Sequence, residues 1–460
     1  MKNVIINELK GFFRSRLFIL LAVFFSFALV VTTYLGIIHN KNLIKSQQEA
    51  KEHVREQWDE MGPSNPHRAA HFGSYAFKET TILNSIDEGV NSVTGNVLRL
   101  EGHKQNDVMF SEASQSLMIS KLGKLKPSLL FQFLIPLFLI FLSFNSYSKE
   151  RESGRLKLIL IQGVSLRNLI FSKIFSIWII GFVLLLLTVL VQFVFNSSEL
   201  NTDTFIRLIL LVLSYGFYYL IIINLSVAVS LLFKNSTSAL SLTIVVWFMW
   251  SVFFPKIIGN TIEAMHPLPT RVEFQDSMSE DRKKGIDGHN PLDEVKKELE
   301  EATLAKYNVK SLSELPINFS GILMQADEEY GNKVWDKHFG DLYSQLQLQK
   351  QKYQISGFLS PFSSLQNLSM GLSGTDMYHH LDFLNQGEKY RRGFIKALNE
   401  KYTLTRRADA EFFKSIEDFD YQVPFLITFL WKYILDFFAL FFWLISSFLM
   451  LNFLTKKNKS

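Results

Sequence analysis

Apolar residues in this 460-residue chain are gathered into long runs instead of being spread through short elements. Stretches with few or no charges cover residues 17–38, 127–147, 174–195, 208–233, 237–258 and 431–454. A helix needs about 20 such residues to cross about 30 Å of hydrocarbon. The pattern therefore predicts an all-α integral membrane protein with six transmembrane helices, because a soluble enzyme core does not call for six runs of this length. The first run is too long for a signal peptide, and no small-x-small cleavage site follows it.

Two long polar segments separate the runs, residues 39–126 and 259–424, and both are expected on the same side of the membrane. Their pattern is mainly helical. NLIKSQQEAKEHVREQWDEM continues the first span until the breaker GPSNP. PLDEVKKELEEATLAKY opens with Pro and acids, a helix start. The stretches from Gly321 to Gln354 and from Thr375 to Tyr402 carry apolar residues at three- and four-residue spacing. NVLRLEG suggests a short strand, and SMSEDRKKGIDGHN a polar loop. The two segments are expected to form one mainly helical domain, with residues 43–58 crosslinkable to residues 318–350. The chain has no cysteine, so packing must hold that domain together.

Charge orients this pattern. Residues 1–16, 148–173, 234–236 and 455–460 hold fourteen Lys or Arg against three Asp or Glu, whereas the whole chain is only +5. Lys and Arg concentrate in cytoplasmic loops. Both termini are therefore expected in the cytoplasm and the two long segments outside it. The basic balance reflects orientation and anionic lipid and gives no reason to invoke nucleic acid.

Between the second and third runs stands YSKERESGRLKLILIQGVSLRNLIFSK. Its Glu150, Glu152 and Gly154, the apolar turn LKLILIQG, and the serine, arginine and lysine leading into the next span resemble the coupling loop of the type-2 ABC exporter permease family. Departures are Arg155 where the family often has Thr, Val164 where it often has Pro, and Ser172 where it often has Gly. The resemblance implies that Glu150, Arg151, Glu152, Gly154, Arg155 and Arg167 couple the membrane subunit to an ATPase. Acids at two of these positions are not what orientation alone would place there. MKNVIINELKGFFRSR can put Ile5, Leu9, Phe12 and Phe13 on one helical face, as a helix lying in the interface does; in the family a connecting helix occupies this place. No G-x-x-x-x-G-K-[ST] occurs, and LGKLK lacks the flanking Gly and Ser/Thr that cradle phosphate and magnesium. This chain is thus expected to hold no cofactor, with ATP and Mg on the partner ATPase.

The outer stretch NPHRAAHFG carries His67 and His71 at i, i+4. A zinc peptidase helix needs Glu after the first His, and Arg68 stands there. The expectation is a helix capped by Asn65 with Pro66 first, no stoichiometric zinc and no peptidase activity. His379 and His380 are candidates to join the pair if the segments pack together. This stretch, with HPLPTRVEF and LSPFSSLQNLSMGLSGTDMYHHLDFLNQGEKYR, is similar to a subgroup of bacterial ABC permeases that have a large outer insertion. Within the spans, Lys432 and Asp436 can share one side as an interfacial pair, and Gln192, Gly216, Asn224 and Ser226 can line a helix interface.

The resemblance implies a permease of the bacterial inner membrane. It pairs with a second copy or a similar permease and with an ABC ATPase, and it exports or moves a substrate that the sequence does not name. One alternative is mechanotransmission to an envelope partner through the outer domain. The other is a membrane receptor unrelated to ABC systems.

Overall fold

The computed structural model describes residues 2–106, 108, 125–284 and 291–457. In chain order, α1 (Lys2–Arg14) and α2 (Arg16–Asp59) precede α3 (Pro66–Phe72) and the strands β1 (Ser74–Phe77), β2 (Val97–Glu101) and β3 (Lys104–Gln105). Then come α4 (Pro127–Glu152), α5 (Arg155–Ile161), α6 (Leu166–Glu199), α7 (Thr202–Leu232) and α8 (Ser236–Met265). The second long segment holds α9 (Arg271–Lys284), α10 (Pro291–Tyr307), α11 (Phe319–Ile355), α12 (Pro361–Ser373), α13 (Met377–Leu404) and α14 (Ala410–Ser415), before α15 (Leu426–Lys457). Helices α2, α4, α6, α7, α8 and α15 are long and apolar enough to cross a membrane.

Polar side chains start these helices where the chain turns. Ser15 caps α2, Ser165 caps α6, Asn201 caps α7 and Asn235 caps α8, each accepting from an amide three residues on. Each satisfies a backbone N–H that has no partner within the helix. Helix α7 is the axis of the bundle. Its Tyr215, Tyr218 and Tyr219 are fully buried, and it packs on α6, α12 and α15.

The structure corrects the expectation that residues 259–424 stand wholly outside the spans. The turn after α11 and the whole of α12 reach between the apolar helices, burying Phe362, Leu365, Leu368 and Leu372 in the core of the bundle. Phe362 lies 6.4 Å, centroid to centroid, from Tyr218, which is about 24 Å along α7 from Thr202. Ser360 Oγ donates to the Trp250 carbonyl at 2.9 Å, and Trp443 Nε1 donates to the Gly357 carbonyl at 2.9 Å. A Cβ on Gly371 would overlap the Tyr433 ring, so only glycine lets α12 lie this close to α15. The first outer segment enters too: Leu83 and Ile86 join the same core, and Gln192 Nε2 donates to Ser85 Oγ at 2.7 Å. A Cβ on Gly36 would overlap the Ser85 carbonyl, so α2 and residues 82–85 meet backbone to backbone.

Beyond the bundle the two segments pack as one body. Helix α2 runs unbroken from the membrane run to Asp59, as its sequence predicts. Its exposed end is covered where Trp58 packs on Phe394 of α13 and Phe413 of α14, and Trp58 Nε1 donates to the Phe413 carbonyl at 2.8 Å. Helix α11 of the second segment meets the first through Glu328 at the β2–β3 turn. The strands form an antiparallel sheet in the order β1-β2-β3, with Ser74 opposite Leu100 and Phe77 opposite Val97. The expected polar loop is also corrected, since residues 271–284 are helical and only part of that stretch, 285–290, lies outside the described residues. Thr270 and Glu273 explain this. The Thr270 amide donates to Glu273 Oε2 at 2.9 Å, and the Glu273 amide donates to Thr270 Oγ1 at 3.3 Å, a reciprocal cap.

Ser64 and Ala408 exchange both backbone hydrogen bonds, at 3.1 and 2.9 Å. Cα atoms of such a pair are about 5.5 Å apart, within the span of a disulfide. The double variant Ser64→Cys, Ala408→Cys should therefore crosslink on mild oxidation, read as a mobility shift that reductant reverses. Failure to crosslink would separate the two segments.

Candidate functional site

The charged loop lies at the end of the bundle that carries both termini, and its acids are already engaged. Glu150 accepts from Lys173 Nζ at 3.2 Å, and the same ammonium reaches Glu8 of α1 at 3.1 Å. Lys173 is buried, so this one cation ties the N-terminal helix, the loop and α6 together. Arg155 Nε stands 3.4 Å from Glu150 and donates to Ser153 Oγ at 3.0 Å. Glu152 caps α8: the Ser236 amide donates to Oε1 at 2.7 Å and Ser236 Oγ to Oε2 at 3.0 Å. The amides of Tyr147 and Ser148 both donate to Ser230 Oγ of α7, at 3.2 and 3.1 Å. The loop is thus stapled to α6, α7 and α8.

Gly154 then turns the chain at φ 70° with open space around it, and α5 follows. A left-handed backbone favours glycine, which accounts for Gly154 at that point of the motif. The structure separates the predicted residues into two groups. Glu150 and Glu152 hold the loop. Arg151, Gly154, Arg155 and Arg167 are exposed, Arg167 lying 5.7 Å over the Phe171 ring. The apolar turn of the motif forms α5 and turns part of its apolar face to solvent, with Leu158 62% and Ile161 81% exposed.

In the outer domain Asn65 caps α3, its Oδ1 accepting from the His67 amide at 2.8 Å, and Pro66 is the first helical residue, as expected. His67 and His71 face each other with their Nε2 atoms 3.2 Å apart. The residue that joins them is His103, in the β2–β3 turn, and donor atoms of all three lie within 4.8 Å of one another. His379 and His380 do not join. They are buried in α13, where His379 Nδ1 pairs with Asp376 at 2.7 Å and burial pushes His380 down to about 3. His103 Nδ1 pairs with Glu328 at 2.9 Å. That bond raises the imidazole above its ordinary value. Burial would raise Glu328, but its bond from His103 and the nearby Arg391 hold it below the usual carboxylate range. Burial, and then the neighbouring His71 and His103, push His67 down. His103 lies 32 residues from His71 in sequence, and it is the β2–β3 turn that brings it back.

The expected interfacial pair of Lys432 and Asp436 is corrected. Asp436 is fully buried and accepts from Gln354 Nε2 at 2.6 Å and Asn367 Nδ2 at 3.0 Å, while the Lys432 ammonium sits 4.0 Å over the Phe429 ring. Asn224 and Gly216 do sit at helix–helix contacts: Asn224 donates to Ser447 Oγ at 2.9 Å, and the Gly216 carbonyl accepts from Trp178 at 2.9 Å.

Residues 35–272, more than half of the chain, match the family described as ABC-2 family transporter protein. Residues 271–422 match a domain of unknown function, DUF3526. No curated protein matches the chain. The second match coincides with the outer insertion and includes α12.

Removing the Glu152 cap should loosen the start of α8. Glu152→Ala should lower the unfolding free energy of the detergent-solubilised protein by about 1 kcal/mol. Glu152→Lys should lower it further, because it sets a cation at a helix N-terminus. Equal thermal stability of all three proteins would remove Glu152 from this role.

Proposed function

Because the chain belongs to the ABC-2 transporter family, we propose that it is the membrane-spanning subunit that converts ATP hydrolysis by a separate ATPase into movement of its own bundle. The observation that carries this reading is α5. It offers Leu158 and Ile161 to solvent from a loop stapled to three spans through Glu150, Glu152 and Ser230. Apolar side chains exposed on a short helix suit a groove on a partner, and the exposed Arg151 and Arg155 beside them suit its orientation. A staple is what transmission requires, since a loop free to swing would absorb the partner's displacement. Glu150 and Glu152 act inside this subunit, and the docking contacts fall to α5 and the arginines. ATP and Mg belong to the ATPase. The Lys and Arg excess at this end supports its placement in the cytoplasm of a bacterial inner-membrane protein. The second half of the assembly is another copy or a similar permease.

The continuity of α2 favours a second reading, mechanotransmission. Forty-four residues run without interruption from the end that carries the termini to the outer domain, so motion of the bundle is delivered directly to residues 40–59 and to whatever envelope partner the outer domain holds. A Gly-Gly insertion after Asn40 would soften this helix. On the transmission reading it abolishes the biological output while ATPase stimulation persists; on the transport reading substrate movement continues.

The double variant Leu158→Asp, Ile161→Asp should insert and fold normally but lose at least tenfold of the ATPase that copurifies with the wild-type chain. Gly154→Pro should do the same, because proline cannot adopt φ 70°. Normal copurification and normal stimulation of hydrolysis in both variants would overturn the docking assignment.

A further inference from the structure

We propose that His67, His71 and His103 form a binding site for a divalent transition metal, zinc being the ion that its donors fit best. Three pieces of backbone geometry converge on it. The Asn65 cap and Pro66 fix the start of α3, so His67 and His71 fall one turn apart on the same side. The β2–β3 turn is tied to the end of α3 by the Gly102 amide, which donates to the Ala70 carbonyl at 2.9 Å. His103 holds φ 63° at the centre of that turn, a conformation sparsely populated by residues other than glycine and found at sites where surrounding structure enforces it.

The distances are those of a shared ion. With Zn–N bonds of about 2.0–2.1 Å and tetrahedral angles, two ligand nitrogens stand about 3.3 Å apart. The Nε2 atoms of His67 and His71 are 3.2 Å apart, and one nitrogen from each of the three residues lies within 4.8 Å of the others. Closing the third ring onto the ion needs about an ångström of side-chain movement, which an imidazole supplies by rotation about χ1 and χ2.

The surroundings are also those of a metal ligand. Glu328 accepts from both the amide and Nδ1 of His103, the latter at 2.9 Å. A carboxylate behind an imidazole fixes the ring and leaves Nε2 to face the metal. Glu328 is itself held by Arg391 at 3.3 Å. Imidazole donors suit zinc, copper and nickel, whereas magnesium and calcium prefer oxygen. The expectation of an unmetallated pair rested on two ligands and on Arg68 beside them. Arg68 is exposed and lies about 100° round the helix from His67, so water screens it. No glutamate occupies position 68 and Glu328 is committed to His103, so the site binds an ion without the base of a zinc peptidase. Its ligands all come from the first outer segment and its supporting carboxylate from α11 of the second, so the ion would clasp the two. The site stands independently of the ATPase reading.

The test uses the full-length chain in detergent, with its affinity tag removed and its metals stripped, titrated with zinc chloride alone and followed by calorimetry and elemental analysis. One zinc per chain is expected, released by chelator. His71→Ala, at an exposed position that does not threaten folding, and His103→Ala should each weaken binding at least tenfold, and Glu328→Gln by about tenfold or more. His53→Ala should bind like the wild type. Cobalt in place of zinc should give visible bands of a tetrahedral ion, lost in His71→Ala. Less than a tenth of an equivalent bound at micromolar free zinc overturns the proposal, as does binding that survives both His71→Ala and His103→Ala.

Discussion

Backbone groups taken out of water must find partners within the protein, and this requirement governs how the outer segment reaches between the spans. Non-helical chain is tolerated at membrane depth only where other helices satisfy it. The turn at residues 356–360 meets this condition through side chains of the spans: Trp443 donates to the Gly357 carbonyl, and Ser360 returns a bond to the Trp250 carbonyl. Gln354 adds a third tie, donating to the Lys432 carbonyl at 2.8 Å and to Asp436. Asp436 is buried because Gln354 and Asn367 arrive to meet it. Take away the second outer segment, and α15 keeps an unmatched carboxylate while Tyr215 of α7 loses its bond to Ser369. The bundle and the insertion are therefore one folding unit, although they match two different families.

At the opposite end, the same need for pairing is met by charge. Lys173 is buried and shared between Glu8 and Glu150. A buried cation with one partner removed is costly, so the N-terminal helix, the loop and α6 hold one another in register. Acids in a basic loop then have a structural reason, and the arginines and apolar side chains of α5 are left facing solvent.

Much of this was legible in the sequence, and what escaped had physical causes. The six apolar runs and the unbroken continuation of the first one carried their own signal in length and periodicity. Asn65 and Pro66 announced α3. Residues 361–373 did not announce their depth, because serines and an asparagine interrupt their apolar positions; Ser369 and Asn367 are the partners that Tyr215 and Asp436 find. Residues 277–284 read as loop from their polarity, because the reciprocal cap of Thr270 and Glu273 that starts their helix lies upstream. His103 was invisible because the sheet, and nothing local, returns it to α3. At the charged loop the acids were found and their direction was not: sequence marks a charge, and only the fold shows that Glu152 faces Ser236 of its own chain.

Gly36 brings α2 against another backbone near the middle of the helix. Its contact with the Ser85 carbonyl falls about 30 Å from Arg16 and about 34 Å from Asp59 along the helix. A rigid rod held near its middle behaves as a see-saw. A tilt of about 5° carries each end about 3 Å, in opposite directions and with almost no gain or loss of amplitude. Displacement applied at Arg16 would therefore arrive at Trp58 undiminished but reversed in sense, so the outer domain would swing one way as the base of the bundle moves the other.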